Sequence, residues 1–136
     1  MVYPMAALVL LTLYVAVLMF RARVKAIKAR AVPFSYFKTY STANTPLPEA
    51  MVLSQRCYNN LLEMPTLFYV ACLAAMVLGI SGNLMVILAW AYVGFRVAQA
   101  ALHLAGNIIW RMRMFAGSCL CLLAMWGVLA GTQLAR

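Results

Sequence analysis

At 136 residues the chain has room for one domain. Of these residues 67% are apolar and only 10% are charged, with a mean hydropathy of +0.92, so there is more apolar surface than a soluble domain of this size can hide. That excludes a water-soluble globular protein, and it excludes a disordered chain, which is poor in apolar residues and rich in charge; an integral membrane protein remains. The net charge of +9 would point to nucleic acid in a soluble protein, but in a membrane chain the placement of the charges decides, and no nucleic-acid partner is expected.

Val2 to Phe20 carries no charge, and as a helix it covers about 28 Å, close to the hydrocarbon thickness of a bilayer. It has no basic lead and ends in Arg21, Arg23, Lys25, Lys28 and Arg30, so a retained first helix over about residues 2–24 is expected rather than a cleaved signal peptide. A basic, Pro-containing connection follows over about 25–49. The second helix is placed at about 50–80, with Glu63 and Pro65 near the start of its apolar run. A short turn leads to the third, about 83–107, interrupted by Arg96, Gln99 and His103, and a polar link leads to the fourth, about 113–134. These lengths predict an all-α fold, a four-helix transmembrane up-and-down bundle forming a single domain over 1–136.

Six of the basic residues (Arg21, Arg23, Lys25, Lys28, Arg30 and Lys38) fall between helices one and two, Arg111 and Arg113 fall between three and four, and the turn between two and three has none. The positive-inside rule then puts both termini on the non-cytoplasmic side. Lys25, Lys28, Arg30 and Lys38 read as orientation signals drawn to anionic lipid, at roughly 1 kcal/mol per residue near the surface. Arg21 and Arg23, on the last turn of helix one, are placed to reach back into the bundle. Cys57, Cys72, Cys119 and Cys121 have neither zinc spacing nor a paired framework and read as packing residues, with Cys57 a candidate thiolate beside Arg56. With one His and two acids, no metal site is expected.

Ionisable residues at membrane depth cost on the order of 2.5–3.5 kcal/mol each even on lenient scales, so they need partners or a wet cavity. On helix two Arg56, Asn60 and Glu63 share one narrow stripe at about 100° per residue. On helix three Tyr92, Arg96, Gln99, His103 and Asn107 fall within an arc of about 80°. The alternating directions bring both stripes, Arg21 and Arg23, and Arg111 and Arg113 to one level. One acid, Glu63, faces many cations there. A packing network in which Glu63 pairs with Arg96 or Arg56 is one reading. The excess of guanidinium favours another, an anionic guest bound through its carboxylates, with an amine suited to Glu63.

Arg56 to Tyr69, R-C-Y-N-N-L-L-E-M-P-T-L-F-Y, resembles the R-x-x-x-N-x-x-E signature, followed by Pro and aromatics, of the MAPEG family, the membrane-associated proteins of eicosanoid and glutathione metabolism. R-A-R-V-K-A at Arg21 to Ala26, and Arg96, Gln99, His103 and Asn107 with Arg111 and Arg113 downstream, add to the resemblance, which covers essentially the whole chain and suits a bacterial-type member of the inner membrane. The resemblance implies a homotrimer with sites between subunits, open to the cytoplasm, that bind glutathione as co-substrate. Arg21, Arg23, Arg56, Asn60, Glu63, Tyr92, Arg96, Gln99, His103 and Asn107 would hold it, and Arg113 or Arg111 would stabilise its thiolate. The expected activity is that of a glutathione transferase or peroxidase acting on lipophilic electrophiles from the bilayer. Gln99 and His103 stand where animal enzymes of the family often carry tyrosine, and the alternative is a non-catalytic lipid-binding or scaffold member. A small multidrug exporter would need an acid in helix one, which has none.

Overall fold

The computed structural model describes residues 1–33, 36–39 and 47–135. The middle of the basic connection, at 34–35 and 40–46, and the side chain of Lys38 lie outside the described residues. Among the described residues five helices follow in order: α1 (Val2–Lys28), a one-turn α2 (Tyr36–Thr39), α3 (Glu49–Val77), α4 (Asn83–Leu104) and α5 (Ile108–Leu134). The four long ones are each long and apolar enough to cross a membrane. Where lipid is the solvent, a helix satisfies every main-chain N–H and C=O within its own segment. Runs of Leu, Ala, Val and Met supply the side chains that lipid and a helix both accept.

The helix ends explain where the sequence reading and the structure differ. α1 runs four residues past the expected end, so Lys25 and Lys28 lie on the helix. It closes where Arg30 N–H bonds the Ile27 carbonyl at 2.9 Å and Ala31 N–H bonds that of Ala26 at 3.0 Å, with Arg30 left-handed at φ 52°. α4 ends at Leu104 because Gly106 takes φ 75°, a conformation that costs glycine nothing. Asn107 then caps α5, its Oδ1 accepting the Trp110 N–H at 3.2 Å. α5 therefore begins at Ile108 rather than near 113, and Arg111 and Arg113 sit in its first turns instead of in a link. Pro65 lies inside α3 and removes the N–H that would bond the Leu61 carbonyl.

The helices pack as two pairs, α1 on α3 and α4 on α5, with α3 also meeting α4 and α5. Towards one end the core is apolar: Leu8, Phe68, Ala71, Cys72, Ala75, Met85, Ala89, Leu122, Met125 and Leu129 are buried together. Nearer the charged end it thins to Val15, Cys57, Leu61 and Ala100. A third small cluster, Ala26, Val32 and Met51, ties the end of α1 to the start of α3. Leu10, Leu13, Ile87, Leu120 and Leu123 point outward, more than half exposed, as lipid-facing residues do.

α4 and α5 approach closely at Gly117, where an added Cβ would lie 2.7 Å from the Phe95 ring. At Gly127, also helical, nothing lies within 4 Å of the same position. Gly117→Ala is therefore expected to destabilise the hairpin by about 1–3 kcal/mol through overpacking. Gly127→Ala is expected to be neutral or to stabilise by up to about 1 kcal/mol through helix propensity. Thermal unfolding of the two variants in detergent, followed by circular dichroism, checks both signs.

Candidate functional site

At the charged end, α3, α4 and α5 line an open polar cavity of about 430 Å³. α3 contributes Arg56, Asn59, Asn60 and Glu63, α4 contributes Gln99 and His103, and α5 contributes Arg111, Met112 and Phe115. Inward of it, between α3 and α4, Asn60, Arg96, Gln99 and His103 among others border a gap too tight to admit water.

Arg96 is the anchor of this end. It is 0% exposed. Its Nε donates to the Tyr92 hydroxyl at 3.1 Å, and its Nη1 donates to Asn60 Oδ1 and Gln99 Oε1, both at 2.8 Å. Gln99 Nε2 donates to the same Asn60 oxygen at 3.0 Å, which closes a ring of bonds across the α3–α4 seam. Tyr92 is fixed in turn by stacking on Phe68, with ring centres 4.4 Å apart and planes 7° from parallel. The Phe115 ring lies 5.4 Å from Arg96 Cζ and adds a cation–π contact from α5. A guanidinium in a poorly polarisable site is held here by neutral acceptors alone, each such bond to a charged group contributing roughly 1.5–3 kcal/mol. Two buried nitrogens at this end, Arg96 Nη2 and His103 Nε2, have no hydrogen-bond partner among the described residues. Such orphans are rare in buried sites and mark unsatisfied donor or acceptor capacity beside the cavity.

The structure brings Arg56, Asn60, Glu63, Gln99, His103 and Arg111 together on the cavity wall. Other expected residues lie elsewhere. Glu63 is exposed at the cavity margin rather than buried, and it forms no ion pair with Arg56 or Arg96 among the described residues; the Nε and Nη1 of Arg96 are taken up by phenol and amide oxygens instead. Tyr92 is buried behind Arg96 as its acceptor and does not face the cavity. Asn107 is exposed and spent on capping α5, since α4 ends before reaching it. Arg113 is exposed, with its Cζ 4.8 Å from the centre of the Trp110 ring, and lies outside the cavity that Arg111 lines. Arg23 donates to Gln55 Oε1, and Gln55 Nε2 donates to Asn59 Oδ1 at 3.0 Å; Arg23 borders a second cavity of about 430 Å³ with Tyr36, Met51 and Arg56. Arg21 is exposed on a separate recess of α1. Cys57 is buried, its Sγ 4.0 Å from the Ala100 carbonyl oxygen, and it packs the α3–α4 seam.

Three wall residues escaped the sequence reading: Asn59, Met112 and Phe115. Asn59 lies about 60° from Arg56 around α3, within the face that helical periodicity defines. Phe115 is one turn beyond Arg111, so both share a face once α5 is known to start at Ile108.

The Asn60 oxygen serves both Arg96 and Gln99. Asn60→Leu is expected to cost roughly 1–3 kcal/mol by leaving buried donors unpaired. Gln55→Leu, which removes a half-buried bond from Arg23 and an exposed one to Asn59, is expected to cost less than half as much. Thermal midpoints in detergent compare them, and equal losses would contradict the central place given to Arg96.

No curated protein and no solved structure matches the chain. The family model of the MAPEG family matches residues 1–131. That match spans nearly all of a chain whose four long helices suit a membrane and whose polar residues gather at one end, and the protein is therefore an integral membrane member of the MAPEG family.

Proposed function

We propose that the polar cavity binds glutathione and that the protein is a glutathione transferase or glutathione-dependent peroxidase acting on lipophilic electrophiles, as a homotrimer of the inner membrane with both termini on the non-cytoplasmic side. The observation that carries this reading is the composition of the cavity wall: Arg56 and Arg111, with only Glu63 as acid, surrounded by the amides of Asn59, Asn60 and Gln99. A volume of about 430 Å³ lies within the usual span of small-molecule sites, roughly 300–1,000 Å³. The donor set suits a small peptide with two carboxylates and one amine. Arg56 offers a planar, two-pronged grip on a carboxylate, Glu63 an acceptor for an ammonium group, and the orphaned Arg96 Nη2 and His103 Nε2 further capacity at the inner end.

When bound, glutathione supplies the nucleophilic sulfur that attacks an electrophile or reduces a peroxide. Arg111 places a fixed positive charge at the cavity wall, which lowers the cost of holding an anion there. Arg96, locked by Tyr92, Asn60 and Gln99, holds its position without reorganisation. Phe115 and Met112 form the apolar side of the wall, against which a lipophilic partner fits.

One observation favours a second reading, binding without turnover: among the described residues, no wall side chain carries a hydroxyl to donate to a sulfur or an electrophile.

Titration of the detergent-solubilised protein with glutathione, read by thiolate absorbance and by heat of binding, tests the proposal. Wild type is expected to bind, Glu63→Ala to bind about tenfold more weakly through loss of a charge-assisted bond, and Arg111→Ala to lose the thiolate signal. Arg113→Ala is expected to retain it. An absence of any glutathione signal at millimolar concentration would end the proposal, whereas binding without conjugation of model electrophiles or reduction of lipid peroxides would select the second reading.

A further inference from the structure

We propose that the recess at the charged end of α1 binds one anionic phospholipid, with its phosphate on Arg21, Lys25 and Lys28 and the upper part of its acyl chains on Phe20 and Val24. The recess holds about 310 Å³ and is lined by these five residues. At 100° per residue they form one unbroken arc of about 140°, running Phe20, Val24, Lys28, Arg21, Lys25. One edge of the arc is apolar and the other carries three cations. The polarity thus changes across the recess as it does between the acyl and phosphate parts of a phospholipid.

Depth supports the same occupant. The uncharged turns from Val2 to Phe20 cover about 28 Å of hydrocarbon, so the recess lies where acyl chains give way to headgroups. Long basic side chains at that level extend towards the interface while their stems stay on apolar surface. The three cations have no carboxylate to answer them: the two acids of the chain, Glu49 and Glu63, are both on α3, and neither lines the recess. The partial negative charge at the end of a helix accounts for cations in the last turn, here Lys25 and Lys28. It does not account for Arg21, nearly two turns from the end, whose fork suits two phosphate oxygens at once. The recess shares no residue with the polar cavity, so the two sites are separable by mutation.

Native mass spectrometry of protein purified from micelles holding equal amounts of phosphatidylglycerol and phosphatidylcholine tests the proposal. Wild type is expected to retain one phosphatidylglycerol per chain. Preference for it is expected to fall about fivefold for each cation removed, in Lys28→Gln alone and further in Arg21→Gln/Lys25→Gln/Lys28→Gln. Val24→Trp fills the recess with all charges intact and is expected to lose the retained lipid as well. Unchanged retention in the triple variant would overturn the proposal. Loss there with full retention in Val24→Trp would mean diffuse charge attraction and would overturn it too. A fall in glutathione affinity with lipid retention intact would assign Arg21 to the other site. Absence of lipid preference in wild type, with a changed oligomeric state in the triple variant, would assign the face to a second copy. Circular dichroism of each variant establishes that the helices are intact.

Discussion

A single guanidinium, sealed between α3, α4 and α5, sets the terms for the charged end of this protein. Arg96 cannot be exposed to lipid, and no carboxylate lies beside it, so its charge is spread over a phenol and two side-chain amides. Those acceptors must be held still to be worth their desolvation. Tyr92 is held by the flat face of Phe68, and Asn60 and Gln99 hold each other. The apolar core on one side and the cavity on the other therefore meet at a network with little tolerance for movement. Glu63, spared from neutralising Arg96, stays at the cavity margin as the one negative side chain among its cations.

Much of this architecture is legible in the chain. The four apolar runs and their short connections specify the bundle, because lipid leaves a polypeptide so few ways to close its main-chain bonds. The stripes on helices two and three fix which faces meet, and Arg56, Asn60, Glu63, Gln99 and His103 do share one cavity. What periodicity does not reveal is how each polar residue is used. Tyr92, Arg96 and Asn107 sit on the same arc, yet one is an acceptor behind the site, one its sealed centre and one a helix cap. Helical angle gives direction but not depth or partner. The helix boundaries matter most at Gly106 and Asn107, whose local bonds move the start of α5 by more than a full turn, and Arg111, rather than Arg113, lies on the cavity wall.

The distribution of apolar contact gives the molecule two rather different ends. Where Leu8, Ala71, Ala75, Met85, Met125 and Leu129 meet, small and large side chains pack together in an apolar core. At the other end, apolar burial falls to a few residues and hydrogen bonds take over the joining of helices. The cavity thus lies in the part of the bundle least committed to close packing, which is where room is cheapest to keep open.

The pairing of helices carries a mechanical corollary. α4 and α5 form a hairpin, closely packed at Gly117 against Phe95 and joined by a three-residue corner, while α1 packs chiefly on α3. The cavity lies on the boundary between these two blocks, and the bonds from Asn60 to Arg96 and Gln99 act as the latch across it. Any displacement of one block against the other works against those bonds and against the Phe68–Tyr92 stack, which spans the same boundary.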